Sequence, residues 1–325
     1  MNEELTPEII SEFYRTKFPL DKFMAFIGLS GFKNREFGFV VGEDRFIRNI
    51  SFENTKELRE FMATRSVKHA YVGAVYAQSP SRYSPIQKIK WKFREFIYDI
   101  DINDFDLVRT CGCQGYAYCT DCWSLVQDTV LFIDETMRQD FGFTDITWLF
   151  SGRRGVHGWI KDTITKNFDQ AQRVAILNYL TMVHDQKRTQ TIEEIPKEAK
   201  PLRDRIYSII AKSYLLNSSE ESLVEIGIAK KKAKDIIQRV KTSSEFDAQT
   251  YNLIIPSNQT VRNKLSQEII LKRYPRIDRK VTMDTRRVSR MPYSIHGNTG
   301  QLAVVIKDIK TFYPDSAPNV WDALK

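Results

Sequence analysis

Two acids on a strand-like segment have the spacing of a metal-binding pair. Asp99 and Asp101 lie in the stretch REFIYDIDIN at 94–103, where apolar and polar residues alternate. On a strand this alternation places both carboxylates on one face, a few ångströms apart. Carboxylates that close repel each other unless a cation compensates, and Mg²⁺ or Mn²⁺ prefers such oxygen ligands. The same pattern also occurs at the solvated edge of an ordinary amphipathic strand, so both interpretations remain open.

A short glycine-rich turn carries three basic side chains. The string SGRRGVHGWI at 151–160 contains Arg153, Arg154 and His157. Adjacent arginines repel each other, whereas a triphosphate can accept hydrogen bonds from both guanidinium groups. Ser151 and the glycine amides can add further donors. A solvated hairpin turn explains the serine and the glycines, but it explains the complete string less well.

All four cysteines lie within twelve residues, which indicates one local site rather than a disulfide framework. Four thiolates in the order C-x-C-x₅-C-x₂-C can complete a tetrahedral zinc site, and such a closed site is structural rather than catalytic. Gly112 and Gly115 permit the tight backbone that a knuckle needs. Buried free thiols and an iron–sulfur cluster are the less favoured alternatives. The four residues are Cys111, Cys113, Cys119 and Cys122.

A second polar segment, at 276–300, repeats the residue types of the first. By itself it has the character of a loop. However, the chain has only four histidines, and two of them, His157 and His296, lie in glycine-flanked basic segments. The polar residues of this segment are Arg276, Asp278, Arg290, Ser294, His296 and Gly297.

Composition indicates an ordinary soluble protein with an excess of positive charge. Of the 325 residues, 42% are hydrophobic and 28% are charged, and the formal net charge is +8. This charge suits a polyanionic partner, although many basic proteins have none. The N-terminal MNEELTPEII is acidic and lacks an apolar core, and no apolar run approaches the roughly 18 residues of a membrane span. We therefore expect a soluble, intracellular protein without a membrane partner.

The elements that must position these residues follow from the hydrophobic periodicity. The sequence predicts a helix starting at Thr6-Pro7, hairpins at 35–52 and 145–162, strands at 71–77, 94–103 and 301–306, and a helix over 123–141. From 163 onward the pattern becomes helical and rich in Lys, Arg, Glu and Gln. We therefore predict an α/β catalytic core with a mixed sheet, formed by 1–162 and 273–325, with a helical subdomain inserted at 163–272 and a zinc knuckle at 111–122.

Eight strings of this sequence together resemble one family, the catalytic small subunit of archaeal and eukaryotic DNA primase. The resemblance covers most of residues 35–160 and 274–306, and SGRRGVH after a D-x-D strand and a cysteine knuckle is highly specific. The strings are REFGF at 35–39, FIRNISF at 46–52, GAVY at 73–76, YDIDIND at 98–104, CTDCW at 119–123, DFGF at 140–143, SGRRGVHGW at 151–159 and PYSIHGNTG at 292–300.

The resemblance implies the fold and the metal ligands. The fold would be the primase (AEP-type) catalytic fold, with the helical subdomain inserted and the zinc knuckle at its side. Asp99 and Asp101 match the family's pair of metal-binding acids. Its third acid stands in a P-R-[LI]-D string, which corresponds to Asp278, with Asp284 as a nearby competitor.

The resemblance also implies which residues bind the phosphates of the incoming nucleotide. The eukaryotic pattern has lysine at the position of Arg290, and adjacent cysteines where this knuckle has C-x-C. Other members often carry a cysteine at the position of Gly158. The implied nucleotide-binding residues are Arg48, Ser151, Arg153, Arg154, His157, Arg290 and His296.

As a primase small subunit, the chain would be a nucleotidyltransferase, a DNA-directed RNA polymerase of the primase type. It would synthesise short RNA primers, with DNA as a further product, on single-stranded DNA. Two Mg²⁺ or Mn²⁺ ions would align the attacking hydroxyl, and NTPs, with dNTPs as alternative substrates, would lose pyrophosphate. A structural zinc ion and a primase large subunit, as heterodimer partner in the primosome, are expected too.

The length favours an archaeal member, so the cytoplasm is the expected compartment, or the nucleus if the protein is eukaryotic. Two competing functions remain open. A primase-polymerase working in repair or in a mobile element would have much the same site. A non-catalytic zinc-knuckle protein would bind nucleic acid without using nucleotides.

Overall fold

The computed structural model describes residues 4–81, 86–186, 189–192 and 200–325. The strands are β1 Arg35–Val41, β2 Arg45–Ile50, β3 His69–Tyr76, β4 Trp91–Phe93, β5 Phe96–Asp101, β6 Ile146–Phe150, β7 Gly155–Ile160, β8 Val183–Gln186, β9 Thr189–Ile192 and β10 Ser289–Arg290. The helices are α1 Pro7–Glu12, α2 Leu20–Ile27, α3 Thr55–Thr64, α4 Thr120–Gln139, α5 Thr163–Lys166, α6 Gln170–Leu180, α7 Lys200–Arg205, α8 Lys212–Leu216, α9 Glu220–Glu225, α10 Lys230–Thr242, α11 Ala248–Ile254, α12 Gln259–Arg273, α13 Arg279–Met283 and α14 Val320–Leu324. None of the helices described is long and apolar enough to cross a membrane.

The chain divides into two compact units. The first comprises Met1–Asp99, Thr144–Ala175 and Asp278–Lys325, and the second comprises Ile100–Phe143 and Ile176–Ile277. The domain boundaries predicted at 162 and 272 stay a prediction. Residues 187–188 and 193–199 of the predicted insertion lie outside the described residues.

Antiparallel sheets form the framework of the first unit. One sheet has the order β10-β3-β1-β2, with β4 also paired to β3, and a second has the order β5-β7-β6. Both predicted hairpins are present, as β1–β2 and β6–β7. The chain is thus a mixed α/β protein, as predicted.

Local sequence signals explain where the helices of the first unit begin. The Thr6 hydroxyl accepts a hydrogen bond from the Ile9 amide, and proline occupies the first turn of α1. The Asn54 side chain caps α3 in the same way by accepting from the Glu57 amide at 3.0 Å. Such caps satisfy amides that have no partner inside the helix.

One continuous apolar core lies beneath both sheets of the first unit. Phe37 and Phe39 of β1, Leu149 of β6 and Trp159 of β7 are fully buried in it. The ring of Trp159 meets that of Phe26 on α2 edge to face, with centroids 5.3 Å apart. The core therefore fixes the strands whose ends carry the candidate site residues.

The second unit is mainly helical and depends on buried ion pairs. Arg205 at the end of α7 donates to both carboxylate oxygens of Asp140, at 2.9 Å each. Arg273 at the end of α12 donates to Asp128 of α4 at 2.6 Å. These pairs tie the later helices to the 20-residue helix α4.

Two elements differ from the expectations. The segment 301–306 is not a strand: Gln301, Leu302 and Val305 form isolated bridges to three different partners, so no continuous ladder develops. The segment predicted as helical also contains the hairpin β8–β9. Its short strands alternate too briefly to stand out from the polar helices around them.

Candidate active site

The turn between β6 and β7 is built by its own backbone. The amide of Ser151 donates to the Gly155 carbonyl at 2.9 Å, and the Ser151 hydroxyl accepts from the Gly155 amide at 3.2 Å. Between them Gly152 has φ +90°, a conformation that favours glycine. The turn therefore holds Arg153 and Arg154 at the end of a rigid hairpin.

The turn packs against the segment that follows β10. A Cβ atom on Gly152 would lie 2.8 Å from the Cβ of His296, so only glycine permits this approach. The Thr299 hydroxyl donates to the Gly152 carbonyl at 2.6 Å. The structure thus brings together the two polar segments that the sequence singled out at 151–157 and 276–300.

Asp99 lies beside the histidine of the turn. Its Oδ1 is 3.3 Å from Nε2 of His157, and its side chain is 27% exposed. Burial raises the pKa of Asp99, but the charge and hydrogen bond of His157, with weaker attraction from Arg290 and Arg154, outweigh it and lower the pKa overall. Asp99 is therefore an ionised carboxylate surrounded by basic groups.

The other candidate acids occupy different environments. Asp101 ends β5, and its carboxylate accepts from the Asn103 amide at 3.3 Å. The backbone amide of Asp278 donates to the Asp99 carbonyl at 2.9 Å. Asp284 is exposed, and its carboxylate accepts from the Arg286 amide at 2.9 Å. Of the two candidates for a third acid, Asp278 is thus the one whose backbone hydrogen-bonds to the backbone of Asp99.

Arg290 and His296 are the most deeply buried basic groups of the cluster, each 7% exposed. Arg290 lies over the ring of Tyr71, 4.7 Å from its centroid, and makes no ion pair with the described residues. Burial lowers the pKa of Arg290, and burial together with the charge of Arg290 lowers that of His296 to about 2. The result is a neutral histidine and a buried guanidinium that has no carboxylate partner among the described residues.

Two buried ring nitrogens in this cluster make no hydrogen bond. They are the Nδ1 atoms of His157 and His296, which have no partner among the described parts of the chain. Buried polar atoms are nearly always satisfied, and these two ring nitrogens, which lie among the basic side chains, are available to hydrogen-bond a ligand. The site is therefore cationic, partly desolvated and suited to an anion with several acceptor oxygens.

The comparisons with known proteins identify the family. Residues 99–308 match the model of a family described as DNA primase small subunit. The chain belongs to this family. The match covers more than half of the sequence, and the resemblance predicted from its motifs is confirmed.

Curated primase small subunits from both eukaryotes and archaea are similar over nearly the whole chain. The DNA primase small subunit of Schizosaccharomyces pombe is 27% identical, over 98% of this chain and 77% of that protein. The DNA primase small subunit PriS of Methanothermobacter thermautotrophicus is 27% identical, over 97% of this chain and 95% of its own length. The corresponding protein of Pyrococcus abyssi is 24% identical, over 96% and 92%.

Some polar residues of this primase small subunit family member have structural partners. The Ser294 hydroxyl donates to the Met291 carbonyl at 2.8 Å, and Tyr293 before it has φ 66°, rare for a bulky residue. Arg276 belongs to the second unit, where it donates to the Leu271 carbonyl at 2.9 Å. These contacts shape the loops and do not depend on a ligand.

Arg48 has a partner that sequence reasoning missed. It donates to both carboxylate oxygens of Glu36, at 2.8 and 3.1 Å, and to the Arg286 carbonyl at 2.8 Å. Glu36 is fully buried, and burial raises its pKa against the opposing effect of Arg48. The available signal was the pair Arg35-Glu36, two charged residues in an otherwise apolar strand.

Steric contact with the neighbouring strand explains why residue 158 is a glycine. A Cβ atom there would lie 2.6 Å from the ring of Trp148, which faces it across the β6–β7 ladder. Trp148 is 8% exposed and cannot move outward without leaving the core. The glycine is therefore matched to the tryptophan opposite.

The four cysteines form a cluster in the second unit. Their sulfur atoms lie within 4.8 Å of one another, and none of the four forms a disulfide. Gly112 and Gly115 have φ of 82° and 56°, as a tight knuckle requires. Asp106 supports the loop by pairing with Arg109 and accepting from the Gly115 amide at 3.1 Å. This donor set fits a structural ion such as zinc.

Proposed function

We propose that this chain is the catalytic subunit of a DNA primase. It synthesises short RNA primers on single-stranded DNA by metal-dependent nucleotidyl transfer from NTPs, releasing pyrophosphate, with dNTPs as alternative substrates. Membership of the primase small subunit family supports the class of reaction. The observation that carries the proposal further is the buried Arg290, which has no carboxylate partner among the described residues and lies in the same cluster as the ionised Asp99.

In this proposal the acids bind the catalytic metal ions. Asp99 and Asp101 alternate with the buried Tyr98 and Ile100 on β5, so their carboxylates share one face of the strand. The hydrogen bond from the Asp278 amide to the Asp99 carbonyl supports Asp278, rather than Asp284, as the third acid. Mg²⁺ or Mn²⁺ would supply Lewis-acid activation of the attacking 3′-hydroxyl.

The basic residues bind the triphosphate. Arg153 and Arg154 come from the rigid turn, and Arg290 and His296 come from the segment packed against it. Ser151 and His157 complete the set, and Arg48, whose side chain is 37% exposed, joins it from beside Glu36. Preorganised donors of this kind stabilise charge that develops on the leaving pyrophosphate.

Two further components belong to the proposal. The cysteine cluster binds one structural Zn²⁺ ion, supported by the mutual distances of its sulfur atoms. The curated relatives are named small subunits, which supports a large primase subunit as the partner of this chain.

A primer-synthesis assay on unprimed single-stranded DNA, with labelled NTPs and Mg²⁺ or Mn²⁺, tests the function. We expect wild-type protein to make short primers, and Asp99→Asn or Asp101→Asn to reduce the rate by at least about 10³-fold, because each removes charge from the metal site. Asp145→Asn is the matched control, since Asp145 precedes β6, has a side chain that is 54% exposed, and forms its ion pair with Lys161. Full activity of the Asp99 and Asp101 variants would refute the metal assignment, and no primers from wild type with its large subunit would refute the function.

A further inference from the structure

His69, at the start of β3, contacts both Arg290 and the amide of Gly297, which follows His296. Its Nδ1 lies 3.0 Å from a terminal nitrogen of Arg290 and 3.3 Å from the amide of Gly297. Its Nε2 lies 3.0 Å from Oδ1 of Asn298. Guanidinium and amide groups can only donate, so Nδ1 accepts and the ring proton is on Nε2, donating to Asn298.

The ring of His69 also contacts His296 directly. Their centroids are 4.7 Å apart at an interplanar angle of 80°, and their backbones form an isolated β-bridge. A Cβ atom on Gly297 would lie 2.8 Å from Cβ of Lys68 and 3.1 Å from Nε2 of His69, so the loop can approach β3 this closely only because this residue is glycine. His69 thus joins β3 to the 290–298 segment at several points.

A neutral acceptor suits Arg290 better than a carboxylate would. A carboxylate at 3.0 Å would neutralise the guanidinium and compete with a phosphate for it, whereas a neutral imidazole orients the group and leaves its positive charge available. Burial and the charge of Arg290 lower the pKa of His69 to about 4, against weaker opposing effects of Asn298 and Asp44. The ring is therefore neutral at physiological pH and its Nδ1 lone pair is available.

We propose that His69 is a positioning residue for the incoming nucleotide: its Nδ1 holds the guanidinium of Arg290 and the amide of Gly297, and so places His296. The inference rests on the proposed function, because it takes Arg290 and His296 as nucleotide-binding groups. An arginine without such a contact would have to be ordered by the nucleotide, which reduces affinity by the lost side-chain entropy.

Two amide variants separate the two ring nitrogens of His69. His69→Asn places an oxygen near the position of Nδ1 and loses the contact with Asn298. His69→Gln places its amide near Nε2 and loses the acceptor for Arg290. We expect His69→Gln and His69→Ala to raise KM for the nucleotide about tenfold, as for one lost hydrogen bond to a charged group, with kcat changed much less. His69→Asn should restore KM to within about threefold of wild type.

A double-variant cycle tests whether His69 acts through Arg290. His69→Gln should raise KM clearly less in the Arg290→Ala background than in wild type, because the contact with Arg290 is already lost and only the contact with the Gly297 amide remains. Fully additive effects, or a His69→Asn variant as impaired in KM as His69→Gln, would overturn the proposal. So would a loss confined to kcat. Equal thermal stability of the two amide variants supports the comparison, since unfolding would lower kcat and not KM.

A second measurement keeps the inference separable from the proposed function. If wild-type protein makes no primers, the proposed function fails, but the ¹⁵N chemical shifts of His69 still test whether its Nδ1 accepts hydrogen bonds from Arg290 and the Gly297 amide. We expect an unprotonated Nδ1 and a protonated Nε2 at neutral pH, changing on Arg290→Ala. A protonated ring, or the opposite tautomer, would overturn the positioning role.

Discussion

Arg290→Met should stabilise the nucleotide-free protein and remove most of its response to a nucleoside triphosphate. Arg290 is 7% exposed, and in the described residues its polar partners are the neutral His69 and the side chain of Tyr71 rather than a carboxylate. A buried charge without a counter-ion is costly, and replacing it by an apolar chain of similar length is worth about 1–3 kcal/mol of unfolding free energy. The substitution therefore removes an unfavourable buried charge and, with it, a group that binds the nucleotide.

Thermal unfolding with and without a non-hydrolysable ATP analogue and Mn²⁺ measures both effects. A ligand at 100 times its Kd stabilises the folded state by about 2.7 kcal/mol. If Arg290→Met weakens binding about 30-fold, the same ligand concentration stabilises the variant by only about 0.9 kcal/mol. The variant should therefore unfold at a higher temperature than wild type without nucleotide, and show about a third of the nucleotide-induced stabilisation.

Arg173→Met is the matched control for this measurement. Arg173 is also fully buried in the first unit, but it donates to the carbonyls of Phe168, Arg94, Glu95 and Thr282. Its loss leaves buried carbonyls unsatisfied, so we expect lower stability with the nucleotide effect retained. If Arg290→Met instead lowers stability and keeps the full nucleotide effect, the reasoning is refuted.

Three further predictions follow from other contacts. Gly158→Cys should cost about 1–3 kcal/mol by forcing the ring of Trp148 outward, and Trp148→Phe should recover part of it in chemical denaturation; equal stability of Gly158→Cys and wild type would contradict the packing. Elemental analysis should find one zinc ion per chain in wild type and none in Cys122→Ser, which should also unfold at a lower temperature; unchanged metal content in the variant would exclude a four-cysteine site. Burial raises the pKa of Asp140, but its hydrogen bonds from Arg205 and Tyr179 lower it overall. The stability contributed by this ionised carboxylate is therefore fully present above the unfolded pKa near 3.8 and is lost as the pH falls through the lower folded pKa. The difference in unfolding free energy between wild type and Asp140→Asn should shrink as the pH falls through that range. A difference that is independent of pH would exclude a stabilising role for the ionised Asp140.

The sequence predicts those features of the fold that depend on local patterns. The hairpin around 151–155 follows from two short apolar strands on either side of a glycine-rich turn. The start of α1 follows from Thr6-Pro7. The prediction of a strand at 301–306 is wrong because its continuous apolar run is typical of a buried strand, while tertiary contacts give it three separate partners.

The candidate site depends on contacts between residues far apart in the sequence, which the spacing of motifs does not predict. His69 and Arg290 are 221 residues apart in sequence, and Glu36 is not near any recognised cluster of polar residues. Gly158 could be recognised as unusual, but its reason lies in Trp148 on the neighbouring strand. The motifs thus indicate the residues that would bind the metal ions and the nucleotide, whereas the tertiary structure shows which other side chains position those residues.

The affinity of wild-type protein for a nucleoside triphosphate relative to its monophosphate tests the triphosphate site most directly. We propose measuring both by calorimetry, with a non-hydrolysable ATP analogue and AMP, each with Mn²⁺. The assignment of Arg153, Arg154, Arg290 and His296 to the phosphates predicts that the triphosphate binds at least about 30-fold more tightly, because the β- and γ-phosphates provide most of the charge-assisted hydrogen bonds. Equal affinities, or a preference unaffected by Arg290→Met, would contradict the assignment of this cluster to the triphosphate.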